Sequence, residues 1–153
     1  MVSFEVLPTG YQWSWGSILQ MRVAGSVGGQ YGNCIPCILF HGQSLTANSL
    51  RIGTDLNGKF YPYDSTKKFP LNNWIKVKIE QTEAWPSWTE VNTTFSIYLD
   101  DEKVYEIVNK QPSYFDNVTV YVSDPWNPKQ AGKIRNLTID NRKPSGKEII
   151  LLR

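Results

Sequence analysis

A chain of 153 residues with 41% hydrophobic and 20% charged side chains reads as one domain, large enough to bury its core without staples. Its net charge of +2, with no dense Lys/Arg run, excludes a strong electrostatic claim on nucleic acid. No apolar stretch approaches the roughly 18 residues that a membrane-spanning helix needs. The aromatic share of 13% suits sheets and sugar- or protein-binding surfaces. Basic residues gather only towards the end (Lys133, Arg135, Arg142, Lys143, Lys147), where a solvated strand edge accounts for them better than a phosphate site.

In chain order the pattern is strand after strand. Residues 3–7 place Phe4 and Val6 on one face, and Pro8-Thr9-Gly10 ends the run. Residues 17–24 form the next apolar run, followed by the glycine-rich 25–29. Residues 35–40 are short and apolar, and residues 49–54 alternate again. Asp55-Leu56-Asn57-Gly58 is a hairpin turn with glycine where positive φ is wanted. Pro62 makes residues 60–63 an edge or bulged strand, because proline cannot donate to a ladder.

The clearest signal lies in residues 73–109. Trp74, Lys76, Lys78 and Glu80 alternate with Ile75, Val77 and Ile79, the period of two of a half-buried strand. After a long loop, residues 94–99 put Phe95, Ile97 and Leu99 on one face. The acidic turn Asp100-Asp101-Glu102-Lys103 then leads into residues 104–108. Residues 118–122 and 134–139 are further strands, and the apolar run 148–152 is expected to pair with the first strand. No amphipathic helix is legible. Ten or so short strands in one domain predict an all-β, two-sheet antiparallel sandwich over residues 1–153.

Chemistry-bearing motifs are thin. The lone His41 has no Ser or Cys that the sequence sets beside it, and reads as a structural or surface histidine. Cys34-Ile35-Pro36-Cys37 lacks a second pair to complete a zinc site and a βαβ context for redox work. A tight disulfide and two buried thiols both remain open. Residues 1–5 lack the character of a signal peptide. Three sequons, at Asn92, Asn117 and Asn136, nevertheless point towards a secreted, extracellular protein whose leader has been removed.

Asn73-Trp74 before an alternating strand, then Phe95-Ser96-Ile97-Tyr98-Leu99-Asp100-Asp101-Glu102, resembles the central hairpin of concanavalin A-like and laminin G-like jelly rolls. The segments 115–126 and 132–139, with Ile134-Arg135-Asn136-Leu137, resemble that fold's closing strands. Trp15-Gly16-Ser17-Ile18-Leu19 and Tyr31-Gly32-Asn33-Cys34-Ile35-Pro36 resemble the front strands of laminin G-like domains in invertebrate extracellular proteins. The likeness implies a jelly roll that binds sugars or proteins, often with calcium, and that is multimeric so as to add up weak sites. The galectin motifs H-x-N-P-R and W-x-x-E-x-R are absent. Calcium-assisted galactose recognition stays open. The E-x-D-x-x-E pattern of the related glycosidases is also absent, so no catalytic residue is assigned.

A sugar site needs an aromatic face to stack on the pyranose and polar groups for its hydroxyls. Asp124, Trp126 and Asn127 offer this in a proline-stiffened turn, and Trp85 and Trp88 offer indoles in the long loop. Asp55, Asn57 and Asp64, next to Tyr61 and Tyr63, are the oxygen donors nearest to a calcium set. The expectation is a non-catalytic carbohydrate-binding lectin with a glycan ligand. Trp126→Ala and Asp124→Ala should abolish binding and barely move the melting temperature. The alternative is a laminin G-like protein-interaction or adhesion module, with a glycosidase third.

Overall fold

The computed structural model describes residues 1–12, 14–26, 28, 31–41, 48–83, 93–113 and 115–140. Within them lie ten strands and no helix. These are β1 (Val2–Pro8), β2 (Gly16–Val23), β3 (Cys37–Phe40), β4 (Leu50–Leu56), β5 (Lys59–Asp64), β6 (Ile75–Glu83), β7 (Thr93–Leu99), β8 (Glu102–Asn109), β9 (Val118–Val122) and β10 (Gly132–Ile139). They build two five-stranded antiparallel sheets, in the orders β10-β1-β6-β7-β8 and β5-β4-β3-β2-β9. The fold is the two-sheet sandwich that the alternation predicts.

Two-residue turns set the register of both meanders. Asn57 and Gly58 take φ of 49° and 75° between β4 and β5, and Asp100 and Asp101 take 52° and 67° between β7 and β8. Positive φ at both central residues matches the right-handed twist of the flanking strands, and Asn, Asp and Gly tolerate it at least cost. Asp100 reinforces its turn by accepting the Lys76 N–H through Oδ1 at 3.0 Å. With register fixed, Phe4, Val6, Ile75, Val77, Ile97 and Leu99 of the first sheet face Leu19, Ile38, Phe40, Leu50 and Ile52 of the second, all at most 2% exposed. A one-residue slip in any strand would turn its apolar set to water.

Two expectations need correction. The ordered strand in the 35–40 run is only Cys37–Phe40, because residues 32–36 lie instead along β2. There the Ile35 N–H donates to Met21 O, and Pro36 O accepts from Met21 N–H, both at 2.8 Å. The apolar run 148–152 lies outside the described residues, and both edges of β1 are already taken, by β10 and β6. Pro62 does sit in an edge strand, β5, whose pairing with β4 runs without a bulge.

Candidate binding groove on the outer face of the second sheet

Strand alternation that sends Leu19, Ile38 and Ile52 inward sends Gln20, Arg22, Cys37, Leu39, Gly53 and Asp55 outward. Two irregular segments lie over this outward face and leave a groove of about 400 Å³ between them. Its lining includes Gln20, Asn33, Leu39, Lys59, Phe60 and Asn127.

One wall is the segment from Tyr31 to Cys37, tied at several points. Asp55 Oδ2 accepts the N–H of Gly32 at 2.8 Å and of Cys34 at 3.2 Å. The Asp55 N–H returns a bond to Cys34 O at 2.8 Å. Gln20 Nε2 donates to Asn33 O at 2.8 Å. Cys34 and Cys37 form a disulfide, which settles the alternatives that the sequence left open. Gly32 is required by this path, since at φ of +88° a Cβ would also stand 2.9 Å from Val23 Cγ2. Within the wall, the buried Asn33 Oδ1 has no donor among the described residues.

The opposite wall is the turn after β9. Asp124 is 4% exposed. Its Oδ1 accepts the N–H of Trp126 at 2.9 Å and of Asn127 at 2.8 Å, and Asn127 Nδ2 donates to Oδ1 and Oδ2 at 3.1 and 3.2 Å. The Asp124 N–H donates to Ser17 Oγ at 2.9 Å, which anchors the turn to β2. This carboxylate shapes the wall, as Asx turns do, and its lone pairs are largely engaged before any ligand arrives. The expectation that Asp124→Ala is harmless to stability therefore does not follow from the geometry. Buried N–H donors would be stranded.

Trp126 follows Asp124 and is 57% exposed, so it is no lid over the core. Its ring lies 4.4 Å from the Arg22 guanidinium carbon and meets Tyr121 edge-on at 5.4 Å. At the β5 side Phe60 is 50% exposed and lies across Gly53, where a Cβ would come within 2.5 Å of the ring. Glycine in mid-strand lets an aromatic ring lie flat along the sheet.

The candidate residues thus divide. Asp124 and Asn127 line the groove and Trp126 belongs to the same turn, packed on Arg22, whereas Trp85 and Trp88 lie outside the described residues. Asp55, Asn57 and Asp64 are parted. Asp55 faces Phe60 and Asp64 faces Arg51, four ladder positions apart, or about 13 Å along the strand. Arg51 Nε and NH2 hold the two Asp64 oxygens at 2.6 Å each, and this paired guanidinium keeps the Asp64 carboxyl below its ordinary value. Asn57 bridges instead to the end of β8, donating to Val108 O at 3.1 Å and accepting from Lys110 N–H at 2.6 Å. These three side chains have different partners and do not fit one calcium ion. Among the described residues no group of three or more His, Cys, Asp or Glu is placed to hold a metal. Tyr61 and Tyr63 pack towards the core. His41 meets Trp15 edge-on at 4.1 Å, in a cluster where Arg51 also lies over Trp15 at 4.0 Å.

Sequence reasoning passed over Phe60, Arg22, Gln20 and Asn33. Phe60 was legible in principle, because the Asn57-Gly58 turn fixes which of residues 60–63 point outward. Arg22 also left a trace, as the single charge in the apolar run 17–24. Asn33 left none, since only tertiary contacts bring its segment over the sheet. No family model matches this chain, nor does any curated protein or solved structure.

Proposed function

We propose that this protein is a non-catalytic carbohydrate-binding domain, a lectin of concanavalin A-like or laminin G-like jelly-roll type that works outside the cell. The observation that carries the reading is the groove itself. Exposed rings flank it, Phe60 within and Trp126 at its rim, beside the amides of Gln20, Asn33 and Asn127. A pyranose needs that combination, a flat apolar surface for its C–H face and amide donors and acceptors for its hydroxyls. The volume of about 400 Å³ suits one or two sugar rings. Asp55 and Asp124, the two carboxylates of the lining, hold loop backbone in place, and this supports binding over bond cleavage. With Asp64 committed to Arg51, recognition is assigned to aromatic and amide groups, without calcium. Exposed Asn117 and Asn136 are compatible with glycosylation in a secretory route.

A second reading rests on a different surface. Val120, Val122, Leu137 and Ile139 on the edge strands β9 and β10 are 37–58% exposed. Such a flank suits a protein partner, as an adhesion module would require, or a second copy in a multivalent assembly.

A glycan array probed with the purified chain, once with calcium and once with EDTA, tests the first reading. Specific binding that survives EDTA is expected. Binding lost in EDTA would move the site to a calcium centre, and a blank array would leave the protein-interaction reading.

A further inference from the structure

Charge is distributed unevenly around the groove. Its carboxylates, Asp55 and Asp124, are turned to backbone N–H groups in the two walls. Arg22 is only 8% exposed, yet among the described residues no carboxylate pairs with it. It has one weak bond, from Nε to Ser26 Oγ at 3.3 Å, and the face of Trp126. A guanidinium removed from water is costly unless its donors meet acceptors, and an aromatic face satisfies the charge without taking the N–H groups. Lys59 also touches the lining, but it stands opposite the buried Leu56 and its ammonium rests 5.0 Å over the Tyr61 ring, turned from the groove.

Arg22 stands at the margin of the groove. It follows Gln20, a lining residue, on the same outward face of β2, about 7 Å further along the strand. The indole stacked on it belongs to the same turn as Asp124 and Asn127, which line the groove. A ligand seated against Gln20 and Asn127 therefore carries its next substituent towards the guanidinium.

We propose that the ligand of this groove is an acidic saccharide, whose carboxylate or sulfate is held by Arg22 while a neighbouring ring stacks on the groove's aromatic side chains. The proposal rests on the carbohydrate-binding reading and narrows it. Arg suits the task because its planar fork takes a carboxylate or a sulfate through two parallel N–H bonds, which Lys cannot imitate.

The test is titration calorimetry on the whole chain with three oligosaccharides of equal length: a galacturonate oligomer, a sulfated galactose oligomer and the neutral galactose oligomer. One or both acidic probes should bind at least about tenfold tighter than the neutral one, the scale of one charge-assisted hydrogen bond. Which acidic probe does so distinguishes carboxylate from sulfate. Raising the salt should reduce that preference. R22Q and R22K should both erase it while residual neutral binding persists, and K59Q, whose lost charge sat over Tyr61, should leave it in place. Because Arg22 is buried, R22K and the salt series give a reading even where R22Q unfolds. Equal affinity for all three probes, with no salt dependence, would overturn the acidic assignment and leave carbohydrate binding standing. No binding of any probe would overturn both.

Discussion

The outer faces of the two sheets solve the same problem differently. On the first sheet, among the described residues, four ion pairs answer charge with charge, two reaching from strand to strand or turn and two lying along a single strand. Arg135 reaches Glu5 at 2.6 Å, Lys76 reaches Asp101 at 2.7 Å, Lys78 reaches Glu80 at 3.1 Å and Lys103 reaches Glu106 at 2.6 Å. Arg135 and Lys78 also cap the rings of Trp74 and Tyr98, at 3.9 and 4.0 Å. That face is complete and solvated. On the second sheet, two loop walls stand over the strands, Asp55 and Asp124 serve those walls, and the buried Arg22 has no carboxylate partner among the described residues. Self-complementary charge makes an inert surface, and a face whose polar groups are partly unanswered is where a ligand gains most.

Phe40→Ala removes a fully buried ring under the groove floor and should cost about 3–5 kcal/mol in urea unfolding. Such a loss would weaken both faces together, and a milder one would mean that the core beneath the groove can collapse. Asp124→Ala should cost about 1–3 kcal/mol by stranding the N–H groups of Trp126 and Asn127, and should abolish glycan binding with it. Full stability in this variant would show that the wall holds without its carboxylate.

Trp126→Ala separates function from folding. Its ring is more than half exposed, so thermal melts should shift little, while calorimetry should show glycan affinity down by about tenfold. The smallest effect belongs to Asp64 and Arg51, the one cross-strand ion pair among the described residues on the second sheet's outer face. Hydrogen bonding to Arg51 lowers the Asp64 folded-state value, so the pair's contribution is complete above the unfolded-state value of about 3.9 and fades as pH falls through the folded value. Both side chains are partly exposed, so the acid-side loss in melting temperature should be slight and should shrink in salt. Asp64→Asn should remove it. An equal acid loss in that variant would assign the effect to other carboxylates.

Much of the fold was legible because strands advertise themselves locally. The alternation in residues 75–79 and 95–99, and the Asn57-Gly58 and Asp100-Asp101 turns, fix inward and outward faces from neighbours in sequence alone. Asp124, Trp126 and Asn127 were legible for the same reason, as one short turn carrying its own chemistry. The partners of these side chains were not. Asp55 and Asp64 look alike as oxygen donors in the sequence, yet one holds the Gly32–Cys34 backbone and the other an arginine on the next strand. Arg22 reads as one charge in an apolar run until Trp126, more than a hundred residues later, is laid on it. Strands, their faces and the tight turns follow from steric and hydrophobic preferences within a few residues, so local sequence suffices for them. Which loops stand over the second sheet, and that Arg22 meets an indole and no carboxylate among the described residues, follow from contacts between segments far apart in the chain.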